Sequence, residues 1–454
     1  MKMTRIVFGF MIATVPLLIL LGQGDGAASG EKWAARYDGP GHDDDSPEAL
    51  AVDGAGNVYV TGQSTGSGTD YDYATVKYNA SGKQVWARRF NGPGNGPDCA
   101  NAVALDGSGN AYVTGWTVVS GGKYDIATIK YDKNGRQVWV RRYDGPGHGD
   151  DMATALALDG SGNVYVTGGS YYSGSDYDYV TVKYSPKGRL LWARRYSWPG
   201  NRGDWPLAIV VDGSSNVYIT GYLEARSADD DRICATLKYD PNGKRLWAQT
   251  YEGTGKGDDL GQAIAVDGAG NAYVTGSSEG PDSKSDYATI KYSPAGAQLW
   301  VQRYDGPGHD HDAPRGLVLD GAGNVYVTGT SYRSGLNPDY ATIKYSPNGK
   351  QLWVERFSRT TKSSQWAYAV AVDHSGNVYV TGNSTVSGDT TSAFDLTTVK
   401  YNANGKQIWV KTYDGPGKDY DRGVAIAVDG SGHIYVTGES RGKGTSTDYV
   451  TLRY

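Results

Sequence analysis

Seven aspartates return at one place in a repeating chain. Asp45, Asp98, Asp151, Asp204, Asp259, Asp312 and Asp421 each stand eight residues before a recurring hairpin Asp, and Gln365 is the single exception. A second set, Asp72, Asp125, Asp178, Asp286, Asp339, Asp395 and Asp448, stands three residues before a recurring Thr, with Ile233 as its exception. A ring of carboxylates near the mouth of a channel would attract a hard cation such as Ca²⁺, which makes the first set the candidate metal ligands. The other reading is architectural. Asp side chains commonly accept bonds from loop and strand-start N–H groups, and a feature serving every repeat equally fits that role.

Other groups vary between units. His42-Asp43-Asp44, His148 and His309-Asp310-His311 have metal-ligating chemistry, but spread around a ring they need not converge and read as solvated loop charge. His374 and His433 read as replacements for Gly and Asn in hairpin turns. The aromatic residues break the symmetry more sharply. Eight of the 12 Trp are periodic and belong between repeats, whereas Trp116, Trp198, Trp205 and Trp366 fall in or beside long loops, with Tyr171, Tyr172, Tyr222, Tyr332, Tyr368 and Tyr420. Aromatic faces beside carboxylates suit carbohydrate, whose C–H faces are apolar and whose hydroxyls need acceptors. The fourth unit concentrates these departures in Trp198, Trp205, Tyr222, Glu224, Arg226 and Asp229-Asp230-Asp231. These residues, with Trp116 and Trp366, are the candidate ligand contacts; repacking around a longer loop is the plainer account.

The elements that must hold these residues follow from the spacing. Trp recurs at 33, 86, 139, 192, 247, 300, 353 and 409. Each unit has four strand-like runs, shown by the first: Ala49–Val52, Asn57–Gly62, Tyr73–Tyr78 and Gln84–Phe90. Period-two alternation marks the second and third. Asp53-Gly-Ala-Gly-Asn57 and Asn79-Ala-Ser-Gly82 supply the positive-φ residues of tight hairpins. Arg88-Arg89 on the fourth run suit an outer edge where charge discourages foreign pairing. Four antiparallel strands repeating at this length predict an all-β fold, an eight-bladed β-propeller of four-stranded blades. The chain stops after a third strand, Tyr449–Tyr454, and begins with a spare fourth, Glu31–Tyr37, so the N-terminal strand is expected to join the C-terminal blade. Only the second-to-third connection changes length, longer by two residues in 222–233 and three in 383–395. Binding residues commonly sit on loops held by a rigid scaffold, so any site belongs on that long-loop face.

Lys2 and Arg5 precede an apolar run from Ile6 to Gly22 and small residues at Gly26-Ala27-Ala28-Ser29. This is the pattern of a secretory signal. It divides the chain into a signal at 1–28 and one propeller domain at 29–454, with the folded part secreted, periplasmic or at the cell surface. Cys99 and Cys234 occupy different positions in different units and read as small buried residues, not a bridge. A net charge of −5 and the lack of a basic stripe argue against nucleic acid. A soluble monomer, without membrane insertion once the signal is removed, is the expected state.

The Asp-Gly-x-Gly-Asn-x-Tyr-Val-Thr-Gly core, the Asp-Tyr-x-Thr-x-Lys-Tyr strand and the Gly-Lys-x-x-Trp strand together resemble bacterial SBBP-type β-propeller repeat proteins over 31–454. The resemblance implies an exported or surface-associated protein and carries over no catalytic residues. The Gly-Lys-x-x-Trp strand alone is also similar to the tryptophan-docked repeats of quinoprotein dehydrogenases. Function is therefore expected to be non-catalytic: a scaffold binding a glycan or protein ligand at the cell envelope, without cofactor unless the acids hold Ca²⁺. The alternative is an exported enzyme, either polysaccharide-active or quinoprotein-like.

Overall fold

Each repeat folds around its hairpin Asp. Asp53 Oδ1 accepts the backbone N–H groups of Ala55 (3.0 Å) and Asn57 (2.9 Å), and Gly56 takes φ +74° to complete the turn. The following Val58, Tyr59 and Val60 are then placed on opposite faces of a strand buried on both sides, which is why alternation there is aliphatic against aromatic. His433 stands where other units have Asn and makes the same contact, its Nδ1 lying 2.9 Å from Asp429 Oδ2.

The computed structural model describes residues 32–172, 175–198, 203–224, 231–281, 284–333, 337–385 and 393–454. The segment read as a signal, the candidate Arg226 and parts of both longer loops lie outside the described residues. Thirty-two strands, numbered in chain order from β1 (Trp33–Tyr37) to β32 (Thr447–Arg453), form eight four-stranded antiparallel sheets. Blades 1 to 7 use consecutive strands. Blade 8 has the order β1-β32-β31-β30, with register from Trp33↔Arg453 to Tyr37↔Tyr449. The ring is closed by the N-terminal strand, as the sequence predicts. The first strand of every blade but the fifth starts earlier than its apolar run implies. In blade 1 it is β2 (Asp45–Val52), whose opening Asp45-Ser-Pro-Glu48 shows no apolar alternation because a β-bulge interrupts the ladder between Pro47 and Ala49.

The periodic Trp locks one blade to the next. Trp86 lies against Gly135 in the last turn of blade 2, where an added Cβ would come within 2.7 Å of the ring. Its indole N–H donates to the Lys133 carbonyl at 3.2 Å. Trp33, Trp139, Trp192, Trp247, Trp300 and Trp353 repeat this bond to Ala80, Pro186, Pro241, Pro294, Pro347 and Ala403. Trp409 faces blade 8, which lacks that turn, and packs on Tyr454 with ring centres 5.8 Å apart. The arginine pair has a role the sequence did not disclose. Arg88 Nε–H donates to the Gly135 carbonyl of the next blade (2.6 Å), and Arg89 turns inward to Asp72 (2.8 Å). Cys99 and Cys234 are free and buried.

Candidate functional site

Blade connections and second-to-third loops meet on one face, as Gly41 N–H to Thr65 O (3.1 Å) and Gly94 N–H to Val118 O (3.0 Å) show. The first set of aspartates fastens these loops together. Asp98 accepts Gly92 N–H at 2.5 Å, Val118 N–H at 2.8 Å and the Thr117 hydroxyl at 2.6 Å. Asp45 and Asp312 each accept one N–H from the blade connection and one from the loop, while Asp151, Asp204, Asp259 and Asp421 hold the connection at Gly145, Trp198, Gly253 and Gly415. Burial pushes Asp45, Asp151 and Asp312 up to about 6 and Asp204 to about 7 against these bonds. Asp98→Ala strands two N–H donors and a hydroxyl. It is expected to cost about 2–4 kcal/mol, measured by urea unfolding; an unchanged midpoint would refute the fastening role.

The second set is matched by arginines: Arg36–Asp448 (2.6 Å), Arg89–Asp72 (2.8 Å), Arg303–Asp286 (2.8 Å) and Arg356–Asp339 (3.0 Å). At three blade junctions both sets meet a connection Asp. Asp38, Asp45 and Asp448 form one trio, Asp125, Asp144 and Asp151 a second, and Asp286, Asp305 and Asp312 a third, with oxygens within 4.8 Å of one another. In each, a His at positive φ contacts the connection Asp: His42–Asp38 (2.8 Å), His148–Asp144 (2.8 Å) and His309–Asp305 (2.5 Å). Each trio also touches a guanidinium, from Arg36, Arg142 or Arg303. That positive charge offsets part of what a cation would otherwise be offered. A pocket of about 480 Å³ opens beside the second trio, between Lys123, Asp125, Arg142 and Asp144.

The four non-periodic tryptophans are half-buried against partners, whereas Tyr171 and Tyr172 are exposed. Trp116 meets Tyr124 edge-on (4.9 Å between centres), and Trp205 meets Tyr177 of the preceding blade (5.0 Å) while covering Gly169. Tyr222 is 9% exposed, under the Arg232 guanidinium at 4.8 Å, and Glu224 accepts Gly203 N–H at 3.2 Å. Trp198 packs against the core of its junction. The described departures of the fourth unit thus each meet a neighbour within the chain. Blade 7 differs: Trp366, Phe394 and Tyr420 form a ladder with ring centres 5.5 and 5.8 Å apart.

Sequence reasoning missed the axis. The first strands, β2, β6 (Cys99–Leu105), β10 (Asp151–Leu158), β14 (Trp205–Val211), β18 (Ala263–Val266), β22 (Asp312–Leu319), β26 (Gln365–Val372) and β30 (Asp421–Val428), are innermost in the ring. Seven carry a bulge, which frees one residue from the ladder and re-aims its side chain. The freed residues are Glu48, Asn101, Thr154, Leu207, Arg315, Tyr368 and Val424; Gln262 holds the place in blade 5. A position three after the ring Asp that never repeats, in a chain where its neighbours do, was the available signal. Around this opening the charge is one-sided. Arg422 is 9% exposed and lies 3.8 Å from Glu439 and 5.2 Å from the Tyr368 ring centre. The Ser46 hydroxyl donates to Glu439. Burial pushes the Glu48 carboxyl up to about 8, with Glu439 adding to this and Arg422 opposing it, and its Oε2 is buried without a hydrogen-bond partner.

The family model for the SBBP β-propeller repeat matches residues 33–68, 247–281 and 352–389. These three stretches carry the SBBP repeat. The matched stretches fall in different blades, and each begins on or beside the Trp strand and runs into the next blade's unit, so the SBBP period is the blade period. An uncharacterized WD repeat-containing protein of Acanthamoeba polyphaga mimivirus is 25% identical over 387 residues, 71% of this chain; the match spans only 27% of that protein's length. Among solved structures, a puromycin hydrolase mutant complexed with PGG aligns over 88% of this chain and 59% of its own (11% identity, TM-score 0.48). The β-propeller domain of the Trilobed protease from Pyrococcus furiosus aligns over 77% and 94% (8% identity, TM-score 0.43).

Proposed function

We propose that this SBBP-repeat propeller is an exported, non-catalytic scaffold that binds a glycan or protein ligand of the cell envelope through its long-loop face. One observation carries the reading. Eight repeats share their frame almost residue for residue, yet at this one position of the inner strands four residues of unlike chemistry, Glu48, Gln262, Arg315 and Tyr368, stay half-exposed, while Asn101, Thr154, Leu207 and Val424 are buried. A ring needing only to close has no use for such variety, whereas a binding surface does. The apolar run and small-residue exit before the first strand support export. The reading needs no cofactor; Ca²⁺, if used, belongs at the three aspartate trios.

The test is a glycan array and an envelope pull-down with the purified chain. Tyr368→Ala with Trp366→Ala is expected to lower binding roughly tenfold or more, the order of effect seen for aromatic anchors. Unchanged binding by a variant with a native melting profile would remove the loop face as the contact surface. Glu48, held protonated at neutral pH by burial, is the observation favouring a polysaccharide-cleaving enzyme instead. Release of reducing ends that Glu48→Gln abolishes would establish that alternative.

A further inference from the structure

Arg315 stands apart from the other arginines near the loop face. Arg36, Arg89, Arg303, Arg356 and Arg422 each have a carboxylate partner. Arg315 is half-buried at its bulge and, among the described residues, has no hydrogen bond and no ion pair. Its guanidinium nitrogens are not among the buried unpartnered atoms, so solvent and a ligand can reach them, and such a guanidinium is suited to planar, two-pronged recognition of a carboxylate. Its charge reaches Tyr368 on the next blade, whose phenol burial otherwise pushes up.

The neighbours of Arg315 define the rest of the ligand. Tyr368 and the ladder Trp366–Phe394–Tyr420 present aromatic surface on blade 7 and at its junction with blade 8. Glu48, with an unpartnered Oε2, lies beyond the Arg422–Glu439 pair. The opposite arc, Asn101, Thr154 and Leu207, is uncharged. A free cation, aromatic faces and a buried carboxyl able to donate a proton match an acidic sugar: a ring with an apolar C–H face, hydroxyls and a carboxylate.

We propose that the arc of the axial opening formed by blades 6, 7, 8 and 1 binds a uronic-acid-bearing glycan, with Arg315 pairing to the uronate carboxylate. This rests on the reading of the loop face as the binding side. The aromatic ladder favours a pyranose ring over an acidic peptide, which would satisfy Arg315 alone. Arg422 does not compete for the carboxylate because Glu439 already faces it. Above the range where Glu48 ionises, a second negative charge faces the ligand and affinity falls. The groups that bear on that titration are Arg422, Glu439, Ser46, Cys99 and Tyr449.

Calorimetry of the full chain with hexagalacturonate, cellohexaose and a poly-glutamate peptide tests the proposal. Hexagalacturonate is expected to bind and to weaken with added salt. Arg315→Gln should lose roughly tenfold or more in affinity, and Arg315→Lys less. If Arg315→Gln fails to fold, the wild-type chain still decides, by preferring the uronate to cellohexaose and weakening between pH 7 and 9. Equal binding of cellohexaose, tighter binding of poly-glutamate, or a folded Arg315→Gln variant with unchanged uronate affinity each overturns the uronate assignment. Those results leave a general binding role standing. No ligand at all on the array or in the pull-down removes both.

Discussion

Trp33→Ala is expected to lower unfolding free energy by about 3 kcal/mol, the scale of a large aromatic truncation in a partly buried site, measured by urea titration. Trp33 sits on the closing strand, packs on Tyr78 and Tyr435 at 6.3 Å between ring centres, and covers Gly82 so closely that an added Cβ would lie 2.5 Å from it. Its N–H is held by the Ala80 carbonyl of blade 1. The same strand carries Arg36, which reaches both Ser440 and Asp448 across blade 8. Removing it therefore loosens blade 8 and its junction with blade 1 together. Trp409→Ala is the internal control: its ring faces Tyr454 and, among the described residues, no turn carbonyl receives its N–H, so its loss should be smaller by about one hydrogen bond, ~1 kcal/mol. Equal losses would mean that the turn carbonyl contributes nothing. A Trp33→Ala variant as stable as the parent would refute closure through this strand.

Glu48→Gln is expected to stabilise the protein at alkaline pH and leave it nearly unchanged at pH 4. Burial holds the folded carboxyl at about 8 against an ordinary value of 4.5. Between those values the folded state binds the extra proton, so stability falls as pH rises. The loss is complete only above the folded value. A gap of that size corresponds at most to about 5 kcal/mol, and solvent in the axial opening reduces it to ~3 kcal/mol. Asp45, Asp151, Asp312 and Asp204, also raised by burial, give the parent the same slope between about 4 and 7. Asp106, Asp267 and Asp429 act oppositely. Despite burial, bonds from their own turns hold them below the usual carboxylate range, so their contribution is lost in stronger acid. Melting curves of parent and variant from pH 4 to 9 check the sign: parallel curves would show that Glu48 titrates normally.

The frame was legible in the sequence because each part of it repeats. An Asp-Gly-x-Gly-Asn turn can close only one kind of hairpin, and a Trp returning once per unit has to meet the same surface each time. The strand at Trp33–Tyr37, a fourth-strand pattern standing before the first complete unit, pairs with the last strand of the chain. The candidate site was less legible for the same reason. Aspartates such as Asp98 drew attention by repeating, and the structure gives them to backbone N–H groups. Glu48 and Arg315 stand in degenerate strand starts, and a bulge cannot be read from alternation. Nor could the role of Arg89 be seen, since its partner Asp72 stands 17 residues away on the neighbouring strand.

The bulged residue on each inner strand has a consequence for how such a molecule can change. A side chain that takes no part in the ladder can be exchanged without altering any turn, any tryptophan lock or the order in which strands join. Glu48, Gln262, Arg315 and Tyr368 are then letters in a rewritable inscription on a constant medal. Related discs could acquire different ligands by a few point changes while their outlines and routes of assembly stay alike.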